Sequence, residues 1–213
     1  MPDSEPEKVA DPAQAAATPQ RIRPKPGERR AQILQTLAAM LEQPGGERVT
    51  TAGLAAKLQV SEAALYRHFA SKAQMFEGLI DFIEQSVFAL VNQIAAQDAE
   101  PGTRRADQIV TMLMKFAEKN PGMARVMVGD ALLLEHERLQ QRMNLFFDKI
   151  EAALKQCLRP DVDTHDSPTP TQDAQVRAAV LVAFARGRLQ RYVRSGFRRL
   201  PSEQLEACLT RMR

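Results

Sequence analysis

Tryptophan is absent from this 213-residue chain, and tyrosine and cysteine occur only twice each. Cys157 and Cys208 lie far apart, which gives neither a disulfide framework nor metal-ligand spacing. No run nears the roughly 20 apolar residues that a membrane span needs. The N-terminal stretch is polar and acidic, without the apolar core of a signal peptide, so the cytoplasm is the expected address. A Gly-rich phosphate loop, paired cysteines and a nucleophile motif are all missing. His136 stands between Glu135 and Glu137, but adjacent helical residues point apart, and His165 falls in a polar stretch. Catalysis, metal sites and cofactors are therefore not expected. No segment alternates with a period of two, which removes the case for strands and predicts an all-α chain.

What remains is helical periodicity and an uneven distribution of charge. The net charge is only +3, too small to argue for nucleic acid by itself. Asp3, Glu5, Glu7 and Asp11 precede Arg21, Arg23, Lys25, Arg29 and Arg30, so an acidic tail turns basic directly ahead of the first predicted helix. Such an arm suits phosphates or a minor groove, or is simply a solvated tail. Residues 1–25 are rich in Pro, Ala, Gln and charge and are expected to be disordered.

The most informative stretch is Thr50 to Lys72, TTAGLAAKLQVSEAALYRHFASK. Thr50 and Thr51 are good N-caps, and Leu54, Ala55 and Leu58 give the apolar face of a short helix. Ala55 is small where a second helix must cross. Gln59 and Val60 form the turn, with Val60 expected to be buried and Gln59 costly if its backbone is left-handed. Ser61 caps the next helix, Glu62 complements its positive end, and Leu65 and Phe69 point inward. Ala63, Ala64, Tyr66, Arg67 and His68 are left on an outward face that is small, hydrogen-bonding and cationic, and so suits a major groove. Ser61, Ala63, Ala64 and Arg67 are candidates for base edges, with Arg67 able to contact guanine or a phosphate. Thr50 can present its hydroxyl and amide to a phosphate or serve only as a cap. Lys72 adds a further cation.

The first helix is expected over 27–42, ended by Pro44-Gly45-Gly46. Ser71-x-x-Gln74 has the form of a capping box and opens a helix to about Gln97, striped by Leu79, Phe82, Ile83, Val87, Leu90, Val91 and Ile94. A fifth helix carries Ile109, Met112, Leu113 and Phe116 and breaks at Asn120-Pro121-Gly122. A short sixth over 123–128, a seventh over 135–158, a polar Pro-rich loop, an eighth over 174–194 and a weak ninth follow. In the eighth, Ala179, Ala183 and Gly187 lie four apart on one face, either an ordinary internal contact or a close approach to a second copy. Three regions result: the tail 1–25, a helix-turn-helix head over 26–73, and a helical body over 74–213.

SEAALYRHFASK resembles the recognition helix and following cap of the TetR family of bacterial regulators. RRAQILQTLAAMLE, MFEGLIDFIE, FAEKNPGMARVMVGDALL and YVRSGFRR, in that order, extend the likeness from about Gly27 to Pro201 and point within the family to its nucleoid occlusion branch. The resemblance implies a homodimer, with higher-order assembly on DNA left open, that reads palindromic sites in double-stranded DNA, with Tyr66 and His68 on phosphates. It also implies a nucleoid-associated protein whose body binds the C-terminal tail of the tubulin-like division protein FtsZ between the fourth and fifth helices. Phe82, Leu90, Met112, Lys115, Lys119 and Asn120 are the positions it assigns to that tail. Leu90 stands where well-known members have a basic residue and Lys115 where they have glycine. The ordinary TetR alternative is a repressor released by a small-molecule effector, for which Met112, Met114, Phe116, Met127 and Phe146 would line the pocket.

Overall fold

The structure is a computed structural model that describes residues 27–43, 49–162 and 169–212. The basic arm Arg21–Lys25, the stop at Pro44–Gly46 and most of the Pro-rich loop lie outside the described residues. The described residues are all-α. α1 is Glu28–Leu41, α2 Thr51–Leu58, α3 Glu62–Tyr66, α4 Lys72–Ala95, α5 Gly102–Lys119, α6 Pro121–Met127, α7 Glu137–Val162, α8 Pro170–Arg194 and α9 Leu205–Arg211. A single 3-10 turn, Asp130–Leu132, precedes α7 and has no signature in the periodicity.

In the head, α1 places Ile33, Leu37 and Leu41 against Leu54, Ala55, Leu65 and Phe69, all buried. α2 ends in a left-handed residue, Gln59, at φ 54° and ψ 45°. Val60 N–H reaches back to Ala55 O and Gln59 N–H to Ala56 O, each at 3.0 Å. This closes a Schellman turn. Val60 is half-buried rather than buried, because it packs on the edge of the head. At the start of α4, Ser71 Oγ accepts from Gln74 N–H at 3.1 Å. The reciprocal bond of the box falls one residue early, with Gln74 Oε1 accepting from Ala70 N–H at 2.8 Å.

Head and body meet where α6 crosses α1. A Cβ on Gly122 would sit 2.0 Å from Ala38 O, so only glycine admits that approach. In the body, α4, α5, α7 and α8 enclose Ile83, Val87, Ile109, Leu113, Met114, Phe146, Ile150, Leu154, Ala178 and Leu189. Charged pairs join α4 and the α7 side in chain order: Lys72–Glu135 at 2.5 Å, Glu77–Arg138 at 2.8 Å, and Asp81 and Glu84 with Arg142 at 2.5 and 2.6 Å. α7 therefore runs parallel to α4. Burial works against the Arg142 charge, but the two carboxylates more than offset it and raise its pKa. α8 returns antiparallel, with Gln175 bonded to Glu151 and Arg186 lying 4.9 Å over the Phe147 ring.

Two helix limits differ from expectation. α7 continues through Pro160 to Val162, and α8 begins at Pro170, with proline in its first turn where the missing N–H costs nothing. Buried Arg188 ties the segment before α9 to α8, donating Nε to Pro201 O at 2.6 Å and Nη2 to Glu203 O.

Candidate nucleic-acid and partner interfaces

Thr50 Oγ1 accepts from Gly53 N–H at 3.0 Å and so caps α2. Thr51 is the first residue of α2 instead of a second cap. Its hydroxyl donates to Glu62 Oε2 at 2.6 Å and joins α2 to α3. Ser61 Oγ accepts from Ala64 N–H at 3.2 Å and fixes the first turn of α3. Ser61, Ala63, Arg67 and His68 are exposed, Ala64 is half-buried, and Tyr66 keeps 44% of its surface. Leu65 and Phe69 anchor the opposite side in the core. The outward group of small and hydrogen-bonding residues is therefore assembled on one element. α3 itself is short, with Arg67 already its C-cap.

The flanking cations divide. Arg29 bonds Gln32 Oε1 at 2.7 Å on its own helix. Arg30 donates to His68 O at 3.0 Å and lies 4.1 Å over the Phe69 ring. It braces the end of α3 from within. Lys72 is paired with Glu135, in the segment before α7, and sits 5.7 Å from the Phe76 ring. The sequence pattern directs Arg30 and Lys72 toward phosphates, yet both already have partners in the protein.

On the body, Phe82 and Leu90 belong by spacing to the apolar stripe of α4, yet they keep 48% and 41% of their surface. Their stripe partners Ile83, Val87 and Val91 are buried. α4 thus carries two apolar sides, one in the core and one toward solvent. On α5, Lys115 and Lys119 are exposed and Met112 and Asn120 half-buried. Asn120 Nδ2 donates to Phe116 O at 2.8 Å and holds the end of α5. Met112 and Lys115 line a surface cleft of about 610 Å³ whose other wall is α9, with Leu205 and Leu209. They lie on the α9 side of α5 and do not face into a gap with α4. The residues suggested for an effector pocket do not surround a void: Met114, Met127 and Phe146 are core, and Met112 and Phe116 pack partly against it.

On α8, Ala183 and Gly187 are exposed and Ala179 is half-buried. Val176 and Val180 keep 55% and 48% of their surface along the same side, and Leu145 of α7 keeps 56%.

Residues 33–79 match the family described as bacterial regulatory proteins, tetR family, and residues 102–212 match the SlmA-like family described as tetracyclin repressor-like, C-terminal domain. The nucleoid occlusion factor SlmA of Idiomarina loihiensis is 50% identical over 180 residues, 84% of this chain and 90% of the relative. That of Colwellia psychrerythraea is 50% identical over 174 residues, covering 82% and 87%. The chain belongs to the SlmA branch of the TetR family. It is a DNA-binding regulator and not an enzyme.

More distant TetR structures share only the fold. A transcriptional regulator from Rhodococcus superposes with a TM-score of 0.69 at 21% identity, covering 86% of this chain and 92% of its own. A TetR-family regulator from Bordetella parapertussis does so with 0.61 at 19%, covering 88% and 95%. Within the SlmA family frame, pattern reading misses Glu135 as the partner of Lys72 and Asp161 as the cap of α5. Asp161 accepts from Gly102 N–H at 2.8 Å and Thr103 N–H at 2.5 Å. A proline-rich stretch beyond the apparent end of a helix gives no signal for Asp161, and a separation of 63 residues hides Glu135 from Lys72. Burial pushes the Cys157 thiol above its usual pKa, and the side chain serves as neutral core. Among the described residues no helix is long and apolar enough to cross a membrane.

Proposed function

We propose that this protein is a nucleoid occlusion factor: a homodimer that binds palindromic sites on the chromosome and there binds the C-terminal tail of FtsZ, preventing septum assembly over the nucleoid. The names of its half-identical relatives support the nucleoid occlusion role. Arg67, with Ser61 and Ala63, reads base edges, while Thr50, Tyr66 and His68 take phosphates. The three regions, tail, head over 26–73 and body over 74–213, divide the work between DNA and partner.

The observation that carries the partner half is the exposure of Phe82. A phenylalanine leaving 48% of its surface in water, on a helix whose opposite side is fully buried, suits an intermolecular contact. Lys119, exposed in the last turn of α5, supplies the cation for an acidic tail, with Asn120 next to it at the C-cap and exposed Leu90 farther along α4 from Phe82. Met112 and Lys115, on the α9 side, extend the surface across the α5 ridge. The effector-gated repressor is disfavoured because Met114, Met127 and Phe146, which would line the inside of its pocket, fill the core.

The test is anisotropy of a labelled FtsZ tail peptide, titrated with and without a palindromic duplex recovered from genomic fragments. Binding strengthened by the duplex, and lost on Phe82→Ala or Lys119→Glu with duplex affinity intact, is the expected result. No peptide binding in either condition would sink the division-inhibitor half and leave a DNA-binding regulator.

A further inference from the structure

YVRSGFRR, at the end of α8, carries more charge than base reading by the head or binding of the FtsZ tail employs. Arg191, Arg194, Arg198 and Arg199 are all exposed and line one depression of about 580 Å³. Gly187, Gln190 and Ser195 complete it without charge, and no acidic side chain lines it. None of the four arginines forms an ion pair with a described residue.

The backbone is built to hold them together. Ser195 Oγ donates to Tyr192 O at 2.8 Å and accepts from the N–H groups of Arg198 and Arg199 at 3.1 and 2.9 Å. Phe197, left-handed at φ 63°, is kept there by edge contact with Tyr192 at 5.2 Å and by Arg125 at 5.1 Å. The chain thus turns back and sets Arg198 and Arg199 beside Arg191 and Arg194.

This end of α8 lies at the head end of the body. α4 starts directly after the recognition segment, α7 runs parallel to α4, and α8 runs back toward the head. Arg194 shares a cleft of about 620 Å³ with Leu41 and Val49 of the head, and with Asp130 and Glu135, neither of which forms an ion pair with it. The helix dipole favours cations in its last turn, which accounts for Arg191 and Arg194 but not for the two arginines beyond α8. Four clustered guanidinium groups without an ion-pair partner among the described residues repel one another, and a polyanion relieves that repulsion.

We propose that Arg191, Arg194, Arg198 and Arg199 form a second DNA-backbone site, which takes phosphates of the same duplex that the head reads. The proposal rests on Thr50–His68 as the surface that reads the duplex. The site adds affinity without sequence preference, because guanidinium bonds to phosphate carry no base information.

The test uses the full chain and the recovered palindromic duplex, with affinity measured across a salt series. Removing one phosphate-neutralising cation lowers the slope of log affinity against log salt by about 0.9. The fourfold Arg→Gln variant is expected to lower the slope by about 2 or more and the affinity at least about tenfold at 0.1 M salt, equally on specific and unrelated sequences. The fourfold Arg→Lys variant should restore most of both. Arg198→Gln with Arg199→Gln, outside α8, should give part of the loss with the helix intact, whatever the fourfold variant does to folding. Slope and affinity within twofold of the wild type would overturn the second site while leaving the head reading in place. A variant that keeps its duplex affinity but no longer binds the acidic FtsZ tail would overturn it in favour of a peptide site. A wild type without duplex affinity would overturn the head reading and this one together.

Discussion

Gln59 holds a conformation that a side chain resists, and it does so because the chain must leave α2 and enter α3 within three residues. A left-handed backbone costs an L-residue about 1–2 kcal/mol, while glycine adds roughly 0.4–1 kcal/mol of unfolded-state entropy. Relief of strain outweighs the entropy, so Gln59→Gly is expected to raise stability by about 0.5–1 kcal/mol in urea denaturation, with duplex affinity unchanged. A lower midpoint would mean that the Gln59 side chain contributes more than its backbone costs. At this scale the turn itself is legible in the sequence, since Thr50, Ser61 and Ser71 announce helix starts through bonds that span three residues. The engagement of Arg30 and Lys72 is not. Their partners, His68 and Glu135, stand 38 and 63 residues away, and local pattern holds nothing at such separations.

Elements are legible where periodicity runs long and illegible where another element supplies the end. α4 and α5 follow their apolar stripes to within a few residues. α7 does not, because Pro160 reads as a stop and yet occupies the final turn. The reason lies on α5, whose N-cap is Pro101 and offers no side-chain acceptor. Asp161, delivered by the extended α7, takes that place, and Gly102 fits so closely that a Cβ would meet Cys157 O at 1.9 Å. Burial disfavours the Asp161 carboxylate, but the Thr103 and Gly102 N–H groups and Arg105 outweigh it and hold its pKa below the ordinary 3.8. A depressed folded value stabilises the native state fully above the unfolded value, and the gain fades as pH falls through the folded one. Asp161→Asn should therefore cost about 1 kcal/mol at pH 7, in the range of lost N-caps. The gap to the wild type should close below the ordinary aspartate value, as the wild-type group also becomes neutral. A gap that persists unchanged in acid would show that shape, not charge, caps α5.

At the scale of the molecule, the unpartnered side of α8 asks for a second copy. Val176, Val180, Ala183 and Gly187 follow one another at helical spacing on an exposed face, with Leu145 exposed on the neighbouring α7. The stripe of small residues has two meanings in the sequence, an internal contact or an approach between copies. Inside the protomer the first is unoccupied at Gly187, where an added Cβ meets nothing within 4 Å. A substitution there consequently disturbs no packing of the protomer and, if anything, gains helix propensity over glycine. Any harm it does must come from another chain. Gly187→Gln, bulky but uncharged beside the Arg191 depression that Gly187 also lines, is therefore expected to leave the melting of the isolated fold intact, to halve the sedimenting mass, and to weaken binding to a full palindrome by about 100-fold or more through lost bivalency. Affinity for a single half-site, which needs one head, should stay as it was. A variant that sediments like the wild type and holds the palindrome as tightly would move the dimer seam off α8, and with it the explanation for the valines left in water.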